Sequence, residues 1–248
     1  MKITVFGGKG LLGGHLVPLL EQSGHDTIIT TRSRSGKNEL KADFLTGEGI
    51  KEAISGADLV VHLVSDAARP RKTDIDGTRR LLEMMDDQHL VYISIVGVDR
   101  HPFAYYRAKY ETEQLIVESG VPHSILRATQ FHDFVARIMR AACRPPLALI
   151  PKQFVFQPID ISEVAATLGA LIESRDPGLQ PDLAGPEILT AEHLARTLME
   201  AIGRERPMLN LPVPGRAARA FRDGLHTSPD RAVGTKTWDS YLEQFRDS

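Results

Sequence analysis

Ile3-Thr4-Val5-Phe6-Gly7-Gly8-Lys9-Gly10-Leu11-Leu12-Gly13-Gly14-His15-Leu16 is the stretch whose reading decides the fold. A short β-branched run leads straight into glycines at Gly7, Gly10 and Gly13, and an apolar helical pattern follows. That order predicts a strand, a tight turn and a helix whose N-terminus faces an anion. Glycine at the turn permits backbone angles closed to other residues, and the missing Cβ lets the main chain approach a pyrophosphate. The N–H groups at Leu11 and Leu12, with the positive end of the helix dipole, then favour a phosphate. A glycine triplet alone is a weak signal. Its place at the first strand–helix junction, where a dinucleotide-binding fold needs it, gives it weight.

Working outward, strand-like and helix-like runs alternate. Asp26–Thr31 reads as the second strand, Glu39–Asp43 as a short third, and Leu59–Val64 as an apolar strand buried on both faces of a parallel sheet. Helices are expected over Leu11–Ser23, Gly49–Ser55, Asp74–Met85 and Ala104–Ser119, with further strands at Leu90–Ile95 and His123–Arg127. The alternation predicts right-handed βαβ crossovers, hence an α/β fold with a Rossmann-type, doubly wound parallel sheet. After about residue 128 the rhythm loosens. Helices over Phe131–Ala142, Val164–Glu173 and Ala191–Ile202, an extended Phe154–Pro158 and a last helical segment after Leu211–Gly215 suggest a smaller C-terminal, substrate-side region. The expected division is a core over 1–130 and a region over 131–248 interwoven with it as one compact unit.

Composition narrows the function classes. The 248 residues are 42% hydrophobic and 25% charged, ordinary for a globular protein. A formal net charge of −2 gives no general attraction to nucleic acid or an anionic membrane, and Arg69, Arg71 and Lys72 make too short a basic cluster to change that. No apolar run reaches membrane-spanning length, and the chain enters a strand almost at once, so a cytoplasmic location is expected. The lone cysteine, Cys143, excludes an intrachain disulfide and reads as a buried apolar residue. The histidines form no spaced metal-ligand set.

Several residues could carry chemistry. The second strand ends Thr30-Thr31-Arg32-Ser33-Arg34 without the acid that an NAD site usually places on the adenosine ribose. Arg32 could instead fork onto a 2′-phosphate, with Lys9 adding charge nearby, or be a solvated loop residue. This favours NADP(H), with NAD(H) as the other candidate. Asp43 is a candidate for the adenine amino group and equally for a turn. Tyr105 and Lys109 stand at i, i+4 on one helix face, where an ammonium could lower the tyrosine pKa and make it a usable acid, although the same spacing arises in ordinary amphipathic packing. Ser94, at the end of the preceding strand, could polarise a substrate carbonyl. Gln130, Phe131 and His132 leave the sixth strand where ligands lie in open α/β sheets, with His132 and Asp133 more in keeping with a structural role than a dyad.

With these residues in place, the chain resembles an atypical short-chain dehydrogenase/reductase of the NmrA-like NAD(P)-binding kind. The resemblance rests on Gly7-x-x-Gly10-x-x-Gly13, Arg32, His62-Leu63-Val64-Ser65, Ser94 and Tyr105-x-x-x-Lys109. Leu126-Arg127-Ala128-Thr129, the segment Gln157–Ala165 and Ala184-Gly185-Pro186-Glu187 extend it over nearly the whole chain. It implies that Gly7, Gly10 and Gly13 shape the pyrophosphate loop and that Arg32 binds the adenosine-ribose phosphate. The backbone at Val64 and Ser65 would line the middle of the cofactor. Lys109 would hold the nicotinamide ribose, Tyr105 would donate a proton, and Ser94 would orient the accepting oxygen. Thr129, Gln130 and Phe131 would border the nicotinamide. Classical members carry Asn-Asn-Ala-Gly where this chain has His-Leu-Val-Ser. The activity implied is hydride transfer from NADP(H) to a small quinone or carbonyl compound. The alternatives are a non-catalytic NADP(H)-sensing regulator and, less in keeping with the small C-terminal portion, a nucleotide-sugar epimerase. The partner expected is a small-molecule substrate; the helices Asp74–Met85 and Ala104–Ser119 could form a face for a second copy of the chain, a homodimer, or equally pack within the monomer.

Overall fold

The computed structural model describes residues 1–32, 36 and 38–246. Its first elements are β1 (Lys2–Phe6), α1 (Leu11–Gln22), β2 (Asp26–Thr31), β3 (Glu39–Lys41), α2 (Ile50–Ile54) and β4 (Leu59–His62). A π-helical stretch, Arg71–Asp76, runs into α3 (Gly77–Met84), followed by β5 (His89–Ile95), α4 (Ala104–Glu118), β6 (His123–Ala128) and α5 (His132–Ala142). The remainder holds β7 (Ala148–Pro151), β8 (Val155–Phe156), α6 (Ile161–Ser174), β9 (Gly178–Leu179), β10 (Leu189–Thr190), α7 (Ala191–Ala201), β11 (Met208–Leu211), α8 (Arg216–Arg222), a 3₁₀ turn (Pro229–Arg231) and α9 (Trp238–Arg246).

The chain divides into two units. The first comprises 1–94, 104–127 and 162–181, and the second 95–103, 128–161 and 182–248. The chain leaves the first unit near the expected boundary at 130, but α6 and β9 return to it and the short 95–103 segment belongs to the second.

The first unit is built on a seven-stranded parallel sheet in the order β3-β2-β1-β4-β5-β6-β9. Strand order reverses between β1 and β4, and ligands in such sheets lie outside the carboxyl ends at that reversal. Ile3, Val5 and Phe6 of β1 and all four residues of β4 are buried, in keeping with the apolar run Leu59–Val61 that precedes His62. Leu12, Leu16, Val17 and Leu20 form the buried stripe of α1. Phe6, Phe44, Ile54, Val60, Leu90, Tyr92 and Ile116 belong to the core on one side of the sheet.

The second unit has its own core, in which α5, α7 and α9 contribute Val135, Met139, Leu194, Leu198, Trp238 and Leu242. Two small ladders complete it, β7 with β11 in parallel and β8 with β10 antiparallel. Thr190 caps α7, its Oγ1 accepting from the His193 amide at 3.2 Å. Cys143 lies in this core, and burial pushes its thiol pKa up, as befits an apolar filler.

Candidate functional site

The glycine loop occupies the carboxyl end of β1, beside the exit of β4. Gly7 has φ +85°, and a Cβ there would lie 3.1 Å from the Leu63 carbonyl carbon and 3.2 Å from the Val64 nitrogen. The Gly10 amide closes the turn on the Gly7 carbonyl at 2.9 Å. A Cβ on Gly13 would sit 2.5 Å from the Gly7 oxygen and 2.6 Å from the Gly8 carbonyl carbon, so only glycine lets α1 pack this closely on the loop. The cap position, Gly10, offers no side-chain hydrogen bond, and the first turn of α1 holds no acid. The amides of Leu11 and Leu12 therefore face outward with no intrahelical carbonyl to satisfy them. This is a cradle shaped for an anion.

At the far side of the loop, Arg32 follows β2 and is exposed, while Ser33 and Arg34 lie outside the described residues. The Lys9 ammonium pairs with the Glu39 carboxylate of β3 at 2.6 Å, a partner that sequence reasoning did not anticipate. Asp43 closes a turn, its Oδ1 accepting from the Leu45 amide at 2.7 Å. Of its two expected roles, the turn role is the one this contact supports.

Tyr105 and Lys109 do share one face of α4, but they do not act on each other in the expected way. The Tyr105 hydroxyl lies 2.8 Å from Ser65 Oγ, and Ser65 Oγ donates to Asp74 Oδ1 at 2.6 Å. A carboxylate can only accept, so the single serine proton goes to Asp74, and the tyrosine must donate its own to Ser65. Asp74 Oδ2 also accepts from the Asp66 amide at 3.2 Å. Lys109, almost fully buried, donates to the Ile93 carbonyl at 3.0 Å, sits 3.8 Å from Asp74 Oδ1 and lies over the Tyr92 ring at 4.4 Å. Its positive charge is thus directed to Asp74 and not to the phenol. The consequence reverses the expectation: burial, with added repulsion from Asp74 and Asp66, pushes the Tyr105 pKa up to about 12, although the Ser65 hydrogen bond works against the shift. Lys109 is pushed the other way, its pKa lowered by burial despite the opposing pull of Asp74 and Glu113.

The neighbouring His62 is neutral. Burial and then the Lys109 charge bring its pKa down to about 3. Its Nδ1 accepts from the Val64 amide at 3.3 Å, which leaves the ring proton on Nε2 to donate to Thr78 Oγ1 at 2.8 Å. This pins the chain leaving β4, where the backbone at Val64 and Ser65 passes the Gly7 turn.

Ser94 does not join the tyrosine. Its Oγ is buried and makes no hydrogen bond with any described residue. Thr129, Gln130 and Phe131 belong to the second unit, where their polar groups hold that unit together. Thr129 Oγ1 accepts from the Gly185 amide at 3.1 Å, and Gln130 spans from the Gln157 amide to the His226 carbonyl. Phe131 caps α5 and bridges Ile159. His132 packs against Trp238 and Tyr241, and Asp133 accepts from the Tyr241 hydroxyl at 3.2 Å, in line with structural roles.

Asp74 and the side-chain role of Ser65 escaped sequence reasoning. The signal for Asp74 was present: with Thr78 and Leu81 it stands at i, i+4 and i+7 on one face, and all three are buried. A carboxylate on the apolar face of a helix is rarely idle.

A family model described as NAD(P)H-binding matches residues 7–142, more than half of the chain. An uncharacterised protein of Mycobacterium tuberculosis is 25% identical over 92% of this chain, which spans only 26% of that relative's length. A nucleoside-diphosphate-sugar epimerase from Staphylococcus aureus has the same fold, with a TM-score of 0.80 at 19% identity over 98% of this chain and 100% of that one. So does an NADPH-dependent quinone oxidoreductase from Escherichia coli, solved with NADPH, with a TM-score of 0.80 at 16% identity over 98% and 99%. With its glycine loop, its sheet reversal and this match over residues 7–142, the chain belongs to the NAD(P)H-binding family.

Proposed function

We propose that this protein is an NADP(H)-dependent oxidoreductase that reduces a small quinone or carbonyl compound. The observation that carries the proposal is the chain of contacts Tyr105–Ser65–Asp74, with Lys109 beside it, assembled from the exit of β4, the π-helical stretch and α4. Gly7, Gly10 and Gly13, with the amides of Leu11 and Leu12, would hold the pyrophosphate, and Arg32 would meet the adenosine 2′-phosphate. The bound nicotinamide supplies the hydride.

The protein's own part is to hold and deliver a proton. With its pKa near 12, Tyr105 is a neutral phenol at ordinary pH. Such a weak acid gives its proton readily only to a strong base, here the oxyanion that forms once the carbonyl carbon has received a hydride. The phenol O–H bond breaks, the substrate O–H bond forms, and solvent restores the phenol. In the resting network the tyrosine proton points at Ser65, so donation requires the hydroxyl to turn towards the substrate. Ser65 can then turn its own proton from Asp74 towards the phenolate, which stabilises it.

That same resting bond favours a second reading, a non-catalytic protein that senses NADP(H), because the tyrosine proton is already engaged. One experiment separates the two. NADPH binding and NADPH oxidation would be measured against a panel of quinones and carbonyls for the wild type and Tyr105→Phe. For an oxidoreductase, at least one substrate turns over, and loss of the hydroxyl lowers kcat by about a hundredfold with little change in NADPH affinity. Tight NADPH binding without turnover on any substrate would leave the sensor reading.

A further inference from the structure

Lys9, Arg32 and Glu39 reach one edge of the first unit from three elements: the glycine loop, the end of β2 and the start of β3. The two basic residues suit an adenosine 2′-phosphate. The carboxylate does not. Its Oε1 lies 2.6 Å from the Lys9 ammonium, and the Glu39 side chain is only 15% exposed against 52% for Lys9. The main chain at Gly36 passes close to the carboxylate. A Cβ on Gly36 would fall 2.9 Å from Glu39 Oε1, so glycine at this position lets the main chain lie against the acid, and the Glu39 amide bonds to the Gly36 carbonyl at 3.4 Å. β3 sits in register with β2, Glu39 opposite Ile29, and Ile29 lies directly against Gly8 of the loop. The acid is thus a fixed neighbour of the glycine loop.

We infer that Glu39 restrains the cofactor selectivity of this site by pairing with Lys9, so that the preference for NADP(H) conferred by Arg32 stays small. The inference rests on the dinucleotide reading above. A 2′-phosphate carries close to two negative charges, and to use Lys9 it must separate the lysine from Glu39 and then face that carboxylate. A ribose that ends in a 2′-hydroxyl carries no charge there and meets no such repulsion. The ion pair therefore weakens NADP(H) selectively and leaves NAD(H) untouched.

The test is calorimetric titration of the wild type, Glu39→Gln and the double variant Glu39→Gln/Lys9→Gln with NADPH and NADH, and with adenosine 2′,5′-bisphosphate and AMP as fragments that carry no nicotinamide. Glu39→Gln should tighten NADPH and the bisphosphate by about tenfold, change NADH and AMP by less than about twofold, and lose most of the gain when Lys9 is also replaced. The gain should shrink at high salt, as an interaction between exposed charges does. If Glu39→Gln shifts both cofactors alike or shifts neither, the assignment of Glu39 is overturned while the dinucleotide site stands. If the wild type binds neither cofactor, the dinucleotide reading falls, and this inference with it.

Discussion

Asp74 has no exposed surface, and a buried carboxylate is tolerated only where its charge is matched and its lone pairs are satisfied. Ser65, the Asp66 amide and Lys109 do both. Asp74→Ala would remove the carboxylate nearest the buried Lys109 ammonium among the described residues, leaving Glu113, which is already paired with Arg127, and should destabilise the fold by about 3 kcal/mol, read from urea unfolding. Asp74→Asn keeps the shape and removes the charge. Because that charge helps hold the Tyr105 pKa high, the phenol should titrate at lower pH in the asparagine variant, which an ultraviolet difference titration against Tyr105→Phe would read. An unchanged tyrosine titration would mean that the Asp74 charge does not act on Tyr105. Sequence made Tyr105 and Lys109 legible because their spacing is local. It could not show where the Lys109 charge is directed, since that depends on Asp74, and Ser65 meets a tyrosine 40 positions away. Lys9 is a similar case: its charge was visible, its partner across the sheet was not.

At the scale of elements, the strand–loop–helix unit at the N-terminus was readable because each of its requirements is met by neighbouring residues. Gly13 is its tightest point. In Gly13→Ala, the new methyl group would collide with backbone at Gly7 and Gly8, which cannot move aside as a flexible side chain would. We expect a loss of about 2 kcal/mol in stability, together with weaker NADPH binding as α1 shifts away from the loop; an alanine variant with wild-type melting and affinity would contradict this. The helix expected from Asp74 onward begins earlier, with the π-helical stretch Arg71–Asp76. The six residues of this stretch hold one apolar side chain, Ile75, so there is no periodicity from which a wide turn could be told from a regular one. Wide turns of this kind recur at functional sites, and this one carries the carboxylate of the tyrosine network. The short strands β8, β9 and β10 have two residues each, too few for any alternation to register, and of these only the extended chain at β8 was foreseen. The tail that suggested one last helix contains two, α8 and α9, because Trp238 begins a second amphipathic run after a turn-rich stretch.

At the scale of the molecule, each unit keeps neutral histidines in its interior. In the first, burial and the Lys109 charge lower the His62 pKa to about 3. In the second, burial lowers His101 and His226 to about 4, where they pack with Phe221 among aromatic rings. An unfolded histidine titrates near 6.5. Below that pH the unfolded chain binds protons that the folded chain refuses, so stability rises with pH across the window between about 4 and 6.5. The contribution is fully present above 6.5 and is lost as the medium is acidified towards the folded values. Each histidine contributes a slope of about 1.4 kcal/mol per pH unit within that window. Between about pH 7.5 and about pH 5 the loss should approach 2 kcal/mol for each histidine, falling on both units in the same direction. Urea midpoints measured across this range should fall steadily, and His62→Gln, whose amide can still donate to Thr78, should flatten the fall for the first unit alone. A midpoint indifferent to pH over that interval would mean that these rings are protonated, or solvated, in the folded protein.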